Sequence, residues 1–210
     1  MAHLILVRHG LSEWNKLGLW TGLTDVGLIP EGKEEAKRAA ESIRGIPIDV
    51  AYTSLLKRAQ ETLSIMLTTL GKSAMPVFEE AALNERDYGI YTGKNKWQVK
   101  EEVGEEEFKK IRRGWEYPVP GGENLKEVYE RVVPFYQKDI SPRLARGENV
   151  LVVASGNSLR ALIKYLEHLT VEQVTNLEFG VGEVYVYDIG AHDVVLSKDI
   201  RAANSRRGTI

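Results

Sequence analysis

Apolar residues gather in this chain in short unbroken runs, and only late in the sequence do they alternate with polar ones. Residues 4–7 read Leu-Ile-Leu-Val, and residues 149–154 read Asn-Val-Leu-Val-Val-Ala. A continuous run of this length predicts a strand buried on both faces. Residues 48–53 make a second strand candidate and residues 75–78 a weaker one. Between the runs, apolar positions recur every three or four residues, which predicts helices. One covers residues 30–44 and is stopped by Gly45 and Pro47. Another covers 54–70, with Leu55, Leu63, Ile65, Met66 and Leu70 on one side and Gly71 as its stop. A third covers 158–169, and Thr170 is placed to cap a further short helix. Residues 122–145 form a long helical stretch that Pro134 and Pro142 divide or kink. Residues 183–189 and 194–198 alternate around Gly190, as a hairpin does.

The resulting order is β-α-β-α-β, a helical stretch, then β-α-β-β. It predicts an α/β fold, a three-layer α/β/α sandwich around a mostly parallel mixed sheet. The segment at about 93–120 fits this alternation poorly. It is rich in Lys, Glu and Arg and closes on Pro118-Val119-Pro120-Gly121-Gly122. It reads as a helical insertion within a single domain covering 1–210, the length expected of one domain.

Charge and composition narrow the chemistry. A formal net charge of −2 gives no general attraction to nucleic acid or to an acidic membrane surface, so neither is expected as a partner. An anionic ligand must then be held by a local cluster of basic side chains. The chain has no cysteine, which excludes disulfides, thiolate catalysis and cysteine-based metal sites. No apolar run approaches 18 residues, so no membrane span is expected. Residues 4–7 are too short for a signal peptide and meet Arg8 at once, so a cytoplasmic protein is expected. The tail 202–210 is small, polar and basic, and reads as mobile.

In open α/β sheets ligands bind beyond the carboxyl ends of the strands. Three such ends carry candidate chemistry: Arg8-His9-Gly10, Thr53-Ser54 and Ser155-Gly156-Asn157. An imidazole can act as nucleophile, base or metal ligand, and a lone histidine after a strand is more often simply a packed one. Arg8 beside His9, with Gly10 permitting close backbone approach, suits a phosphoryl group. Arg58 lies one turn into a helix that follows a strand, Arg112 and Arg113 are a basic pair in the insertion, and Glu85 is a carboxylate in a loop. Together they form a phosphoryl-transfer set: arginines to hold phosphate oxygens, a histidine to take the group and a carboxylate to handle a hydroxyl proton. The other histidines, His3, His168 and His192, show no metal-ligand spacing, and no metal is expected.

The segments 7-VRHGLSEWN-15, 20-WTGLTDVGL-28, 52-YTSLLKRAQET-62, 83-LNERDYGIYTGKNK-96, 112-RRG-114 and 156-GNSLRALIKYLE-167 resemble the histidine phosphatase superfamily. Within it, the chain resembles the cofactor-dependent phosphoglycerate mutases over nearly its whole length. An RHG alone points to the superfamily; the LNER-Y-G segment, the following Asn-Lys and the arginine pair point to the mutase branch. The resemblance implies a phosphohistidine at His9, primed by 2,3-bisphosphoglycerate, that interconverts 3-phosphoglycerate and 2-phosphoglycerate in glycolysis. It implies that Arg8 and Arg58 bind the transferring phosphate, with Asn15 and the Gly156 backbone assisting. Thr21, Gly22, Tyr88, Lys96, Arg112, Arg113 and Asn157 would hold the rest of the substrate, and Glu85 would be the acid/base. It also implies a homodimer or homotetramer, with residues 52–80 as a packing face.

Two positions depart from that pattern. Leu11 stands where an acidic or amide residue often follows the RHG, with little consequence expected. Ser155 stands where the family carries a second histidine that stabilises the transferring phosphoryl group. A serine hydroxyl has neither the reach nor the charge of an imidazole, so weakened activity is expected. The sequence leaves open whether Ser155 is an engineered change, a natural weakening, or a variant tolerated with help from Arg160 or water. Two other functions stay in view beside the mutase: a small-molecule phosphatase of the same superfamily, and a phospho-ligand-binding protein without turnover.

Overall fold

The computed structural model describes residues 1–202. Most of the tail expected to be mobile therefore lies outside the described residues. The strands are β1 (Ala2–Arg8), β2 (Val50–Thr53), β3 (Val77–Glu79), β4 (Val150–Ala154), β5 (Val184–Ile189) and β6 (Val195–Arg201). The helices are α1 (Glu13–Lys16), α2 (Pro30–Ser42), α3 (Lys57–Thr69), α4 (Lys96–Val103), α5 (Glu105–Arg113), α6 (Leu125–Phe135), α7 (Ser141–Ala145), α8 (Gly156–Leu166) and α9 (Val171–Asn176).

The strands form one sheet in the order β3-β2-β4-β1-β5-β6. Strands β3, β2, β4 and β1 run parallel, while β5 is antiparallel to β1 and β6 to β5. The sheet is therefore mixed and mostly parallel, as the sequence predicts, and the late alternating runs do form the antiparallel hairpin. The unbroken apolar runs have the expected cause. Leu4 and Leu6 of β1, with Val150 and Val152 of β4, pack on one face with α6 and α8 residues such as Val132 and Leu162. Ile5, Val7, Leu151 and Val153 pack on the other face with Ala39 of α2 and Leu63 and Met66 of α3. These residues of the central strands face a layer of helix on one side or the other, so none of them needs to be polar.

Register places the site. Arg8 of β1 lies opposite Ala154 of β4, and the His9 N–H donates to the Ala154 carbonyl at 3.0 Å. The two strand ends that carry His9 and Ser155-Gly156-Asn157 are thus level and adjacent, at the carboxyl edge of the sheet.

Several boundaries differ from the sequence reading. Helix α3 begins at Lys57, not at residue 54, because Leu56 is extended and the Lys57 N–H is taken by Asp25 Oδ1 at 2.7 Å. Helix α8 begins at Gly156, two residues early, because Ser155 is the extended residue before it. Pro134 sits inside α6 without ending it; a π-helical segment, Tyr136–Ile140, joins α6 to α7, and Pro142 lies in the first turn of α7. Thr170 caps α9 in a reciprocal capping box with Gln173. The segment that interrupts the α/β alternation carries α4 and α5. They rest on a small separate cluster of Trp20, Tyr88, Val99, Phe108 and Ile111. Helix α1 and the 3₁₀ turns Ala81–Leu83 and Gly89–Tyr91 are too short to show a period. Among the described residues no helix is long and apolar enough to cross a membrane.

Truncation in the central sheet is expected to cost far more than truncation at its edge. Leu151 is fully buried, whereas Leu196 on β6 is 57% exposed. Leu151→Ala should lower unfolding free energy by about 2–5 kcal/mol, and Leu196→Ala by less than about 0.5 kcal/mol. Urea unfolding followed by circular dichroism checks both.

Candidate active site

The loop after β1 is sewn to the helices beneath it. The Gly10 N–H donates to Thr62 Oγ1 at 3.0 Å, and the Thr62 hydroxyl donates to the Arg58 carbonyl at 2.7 Å. The Leu11 N–H donates to Glu35 Oε2 at 2.7 Å. Gly10 meets Gly32 of α2 so closely that a Cβ on Gly10 would stand 2.2 Å from the Gly32 carbonyl oxygen, and one on Gly32 would stand 2.1 Å from that of Leu11. Neither contact leaves room for a side chain, which is the physical reason for glycine at both positions.

His9 is buried, and its Nδ1 lies 2.8 Å from the Gly10 carbonyl. That carbonyl can only accept, so Nδ1 carries the proton and the Nε2 lone pair is left for chemistry. Burial lowers the His9 pKa well below its ordinary value, and the charges of Arg58 and Arg8 lower it further. The imidazole is neutral at pH 7, as a nucleophile must be. Arg58 Nε donates to Nε2 at a long 3.3 Å. The rest of the Arg58 guanidinium is pinned by the carbonyls of Gly22 at 2.8 Å and Thr24 at 3.0 Å. Arg8 donates to the Phe179 carbonyl at 2.6 Å.

Glu85 lies across the same pocket. Its Oε1 accepts the Arg86 N–H at 2.7 Å and the Asn157 N–H, from the first turn of α8, at 3.3 Å. Burial alone would raise the Glu85 pKa. The Arg86 N–H and the charges of Arg58, Arg8 and Arg160 outweigh it, so the pKa lies below its ordinary value and the carboxylate is ionised. Asn157 Nδ2 donates to the Tyr88 hydroxyl at 2.9 Å, and Asn15 accepts from the Ser12 hydroxyl at 2.9 Å.

All the expected site residues except Ser155 line this one pocket: Arg8, His9, Asn15, Thr21, Gly22, Arg58, Glu85, Tyr88, Lys96, Arg112, Arg113, Gly156 and Asn157. Ser155 stands at the end of β4 beside Gly156. Its hydroxyl is fully buried, has no hydrogen-bond partner among the described residues, and does not line the pocket. The pocket wall also includes Trp20 and Arg160. Trp20 belongs to the 20-WTG-22 segment, and Arg160, named in the sequence reading as an aid to Ser155, falls one turn into α8. Arg86 was not read as functional. It is buried with its guanidinium 4.4 Å over the Tyr88 ring, and it donates to the Ile111 and Arg112 carbonyls at the end of α5. It therefore fixes the ends of two segments that bear site residues.

Six cationic side chains, Arg8, Arg58, Lys96, Arg112, Arg113 and Arg160, surround the pocket. Burial lowers the pKa of Lys96 to about 7, helped by the charges of Arg112 and Arg8. Burial likewise lowers that of Arg112 to about 10, with Arg113 adding to it. A chain with a net negative charge thus concentrates positive charge around one imidazole and one carboxylate, an arrangement fitted to an anion that reacts there. Among the described residues no three His, Asp or Glu side chains come together as a metal site would require.

The arrangement suits phosphoryl transfer through a histidine, and the chain belongs to the histidine phosphatase superfamily (branch 1), whose family model matches residues 4–198. Within that superfamily its relatives are phosphoglycerate mutases. The protein named 2,3-bisphosphoglycerate-dependent phosphoglycerate mutase in Parvibaculum lavamentivorans is 48% identical over 199 residues, covering 94% of this chain and 95% of that one. One of the same name in Rhodopseudomonas palustris is 47% identical, covering 93% and 95%. Among solved structures, Bacillus stearothermophilus YhfR superposes with a TM-score of 0.81 at 23% identity over 93% of this chain and 94% of its own, which bears on the fold alone. A putative alpha-ribazole-5'-P phosphatase from Escherichia coli gives 0.78 at 26% identity over 98% of both chains.

Lys96 makes anion binding pH-dependent. Its pKa of about 7 makes the amine charged at the acid side and neutral at the alkaline side, so binding should weaken as pH rises. Sulfate, whose own charge does not change in this range, should bind up to about tenfold more weakly at pH 8 than at pH 6. In Lys96→Met the same titration should be nearly flat. Isothermal calorimetry measures both.

Proposed function

We propose that this protein interconverts 3-phosphoglycerate and 2-phosphoglycerate in a 2,3-bisphosphoglycerate-dependent reaction, through a phosphohistidine at His9. The observation that carries the reading is the neutral, buried His9 whose Nε2 faces a pocket ringed by arginines with the ionised Glu85 across it. The names of the relatives support it. The donor set fits 2,3-bisphosphoglycerate: the wall offers cations for two phosphates and a carboxylate, and Arg8 Nε, Thr21 Oγ1 and Trp20 Nε1 are buried donors without partners among the described residues. When bound, 2,3-bisphosphoglycerate supplies the phosphoryl group that primes His9.

His9 Nε2 takes the phosphoryl group in line and returns it, while the Gly10 carbonyl holds the Nδ1 proton and stabilises the charge that develops on the ring. Arg8 and Arg58 bind the transferring oxygens, with Asn15 and the Gly156 N–H beside them. Glu85, already ionised, takes the proton of the hydroxyl that receives the group and gives it back to the oxygen that leaves. Lys96, Arg112, Arg113, Tyr88, Thr21, Gly22 and Asn157 hold the remainder of the substrate. The chain works as one domain with residues 93–120 as its inserted lobe, in the cytoplasm, on small phosphoglycerates. A homodimer or homotetramer would pack through residues 52–80, where Leu55, Val77 and Phe78 are exposed near the edge strand β3.

Ser155 weakens the reaction in this reading. Its buried hydroxyl, without a partner among the described residues, offers no cation to the transferring phosphoryl group. Loss of one such preorganised donor costs about 10²- to 10³-fold in rate. In a coupled assay of 3-phosphoglycerate conversion, activity should depend on added 2,3-bisphosphoglycerate, and Ser155→His should be at least about 10²-fold faster. No turnover by either protein, under either condition, overturns the mutase reading.

A further inference from the structure

Three consecutive residues of the loop between α9 and β5 hold three arginines of the pocket. The Leu177 carbonyl accepts from Arg160 Nε at 2.9 Å, and the Phe179 carbonyl accepts from Arg8 at 2.6 Å. These neutral acceptors orient a guanidinium and leave its charge for a ligand. The residue between them acts differently. The Glu178 carboxylate accepts from both terminal nitrogens of Arg113, at 2.5 and 2.8 Å, and lies 3.9 Å from Arg160. It thus occupies the fork by which Arg113 would clasp a phosphate or carboxylate.

The surrounding space points the same way. The catalytic pocket holds about 40 Å³ of free volume, room for a few waters at about 10–15 Å³ each. Arg112 and Arg113 also border a neighbouring cavity of about 520 Å³, on whose wall Glu178 lies. The Arg113–Glu178 pair therefore stands between a narrow pocket and a roomy one. Glu178 is held ionised by these guanidinium groups: burial would raise its pKa, and the bond to Arg113 with the charges of Arg113, Arg160 and Arg112 lowers it instead.

We propose that Glu178 is a specificity-determining residue, an internal counter-anion that a ligand must displace to gain Arg113. Only a ligand with a second anionic group recovers what that displacement costs, so the pair selects phosphoesters carrying a carboxylate or second phosphate over simple ones. The inference rests on the phosphoglycerate reading of the site. The resting fork is closed, and affinity for a ligand that needs it open is reduced by the open fraction.

Equilibrium binding to the full chain tests this independently of turnover. In Glu178→Gln the Kd for 3-phosphoglycerate should fall by about five- to tenfold. The Kd for glycerol 3-phosphate, which lacks the carboxylate, should change less than about twofold, and Glu178→Asp, which keeps the charge, should stay near the parent. Equal tightening for both ligands would mean a general charge effect and overturns the proposal. An unchanged or raised Kd for 3-phosphoglycerate, or an Asp variant that tightens as the Gln variant does, overturns it too. A chain that binds as expected but converts no 3-phosphoglycerate leaves Glu178 in this role and removes the mutase reading; turnover without tighter binding by the Gln variant does the reverse.

Discussion

The parallel pairing of β1 with β4 is the constraint on which the site depends. With Arg8 opposite Ala154, the first residues past both strands leave the sheet at one level. One delivers the imidazole of His9 and the other delivers the N-terminus of α8, whose Asn157 N–H reaches Glu85. A slip of one residue would turn Leu4, Leu6, Val150 and Val152 from one helical layer to the other, so core packing enforces the register that brings His9 level with the start of α8. The close contact of Gly10 with Gly32 then sets the depth of the loop against α2.

Around that frame the protein concentrates like charges, which costs folding energy. Arg8, Arg58 and Arg160 are almost wholly buried, and burial lowers the pKa of each. Most of their partners are backbone carbonyls: Phe179 for Arg8, Gly22 and Thr24 for Arg58, Leu177 for Arg160. A carbonyl fixes direction without neutralising charge, so the guanidinium groups remain available to an anion. Two carboxylates lie within this field, Glu85 in the pocket and Glu178 on the wall of the neighbouring cavity. Preorganisation of this kind lowers the reorganisation needed when a phosphoryl group arrives.

The sheet was legible because its central strands are buried on both faces and so read as unbroken apolar runs. The hairpin was legible because β5 and β6 alternate around Gly190. Helix starts were misplaced where the cap came from far away, as Asp25 caps Lys57, since no local pattern encodes such a contact. In the site, His9, Arg8 and Glu85 lie in segments with a recognisable motif. Arg86, which ties the Glu85 segment to the end of α5, and Glu178, which meets Arg113 across 65 positions, act through contacts that only the folded chain brings together. Ser155 was conspicuous in sequence, yet among the described residues its hydroxyl has no partner and does not line the pocket.

The small aromatic cluster under α4 and α5 makes the two halves of the pocket unequal in stability. Trp20, Tyr88, Val99, Phe108 and Ile111 form a patch apart from the two large cores, whereas His9 and Asn157 hang from the central sheet. Local opening needs only the loss of the contacts of the unit that opens. Opening of the helices that bear Lys96, Arg112 and Arg113 therefore need not disturb either of the two large cores. Exchange of a ligand by that route would leave the part of the fold that holds His9 intact.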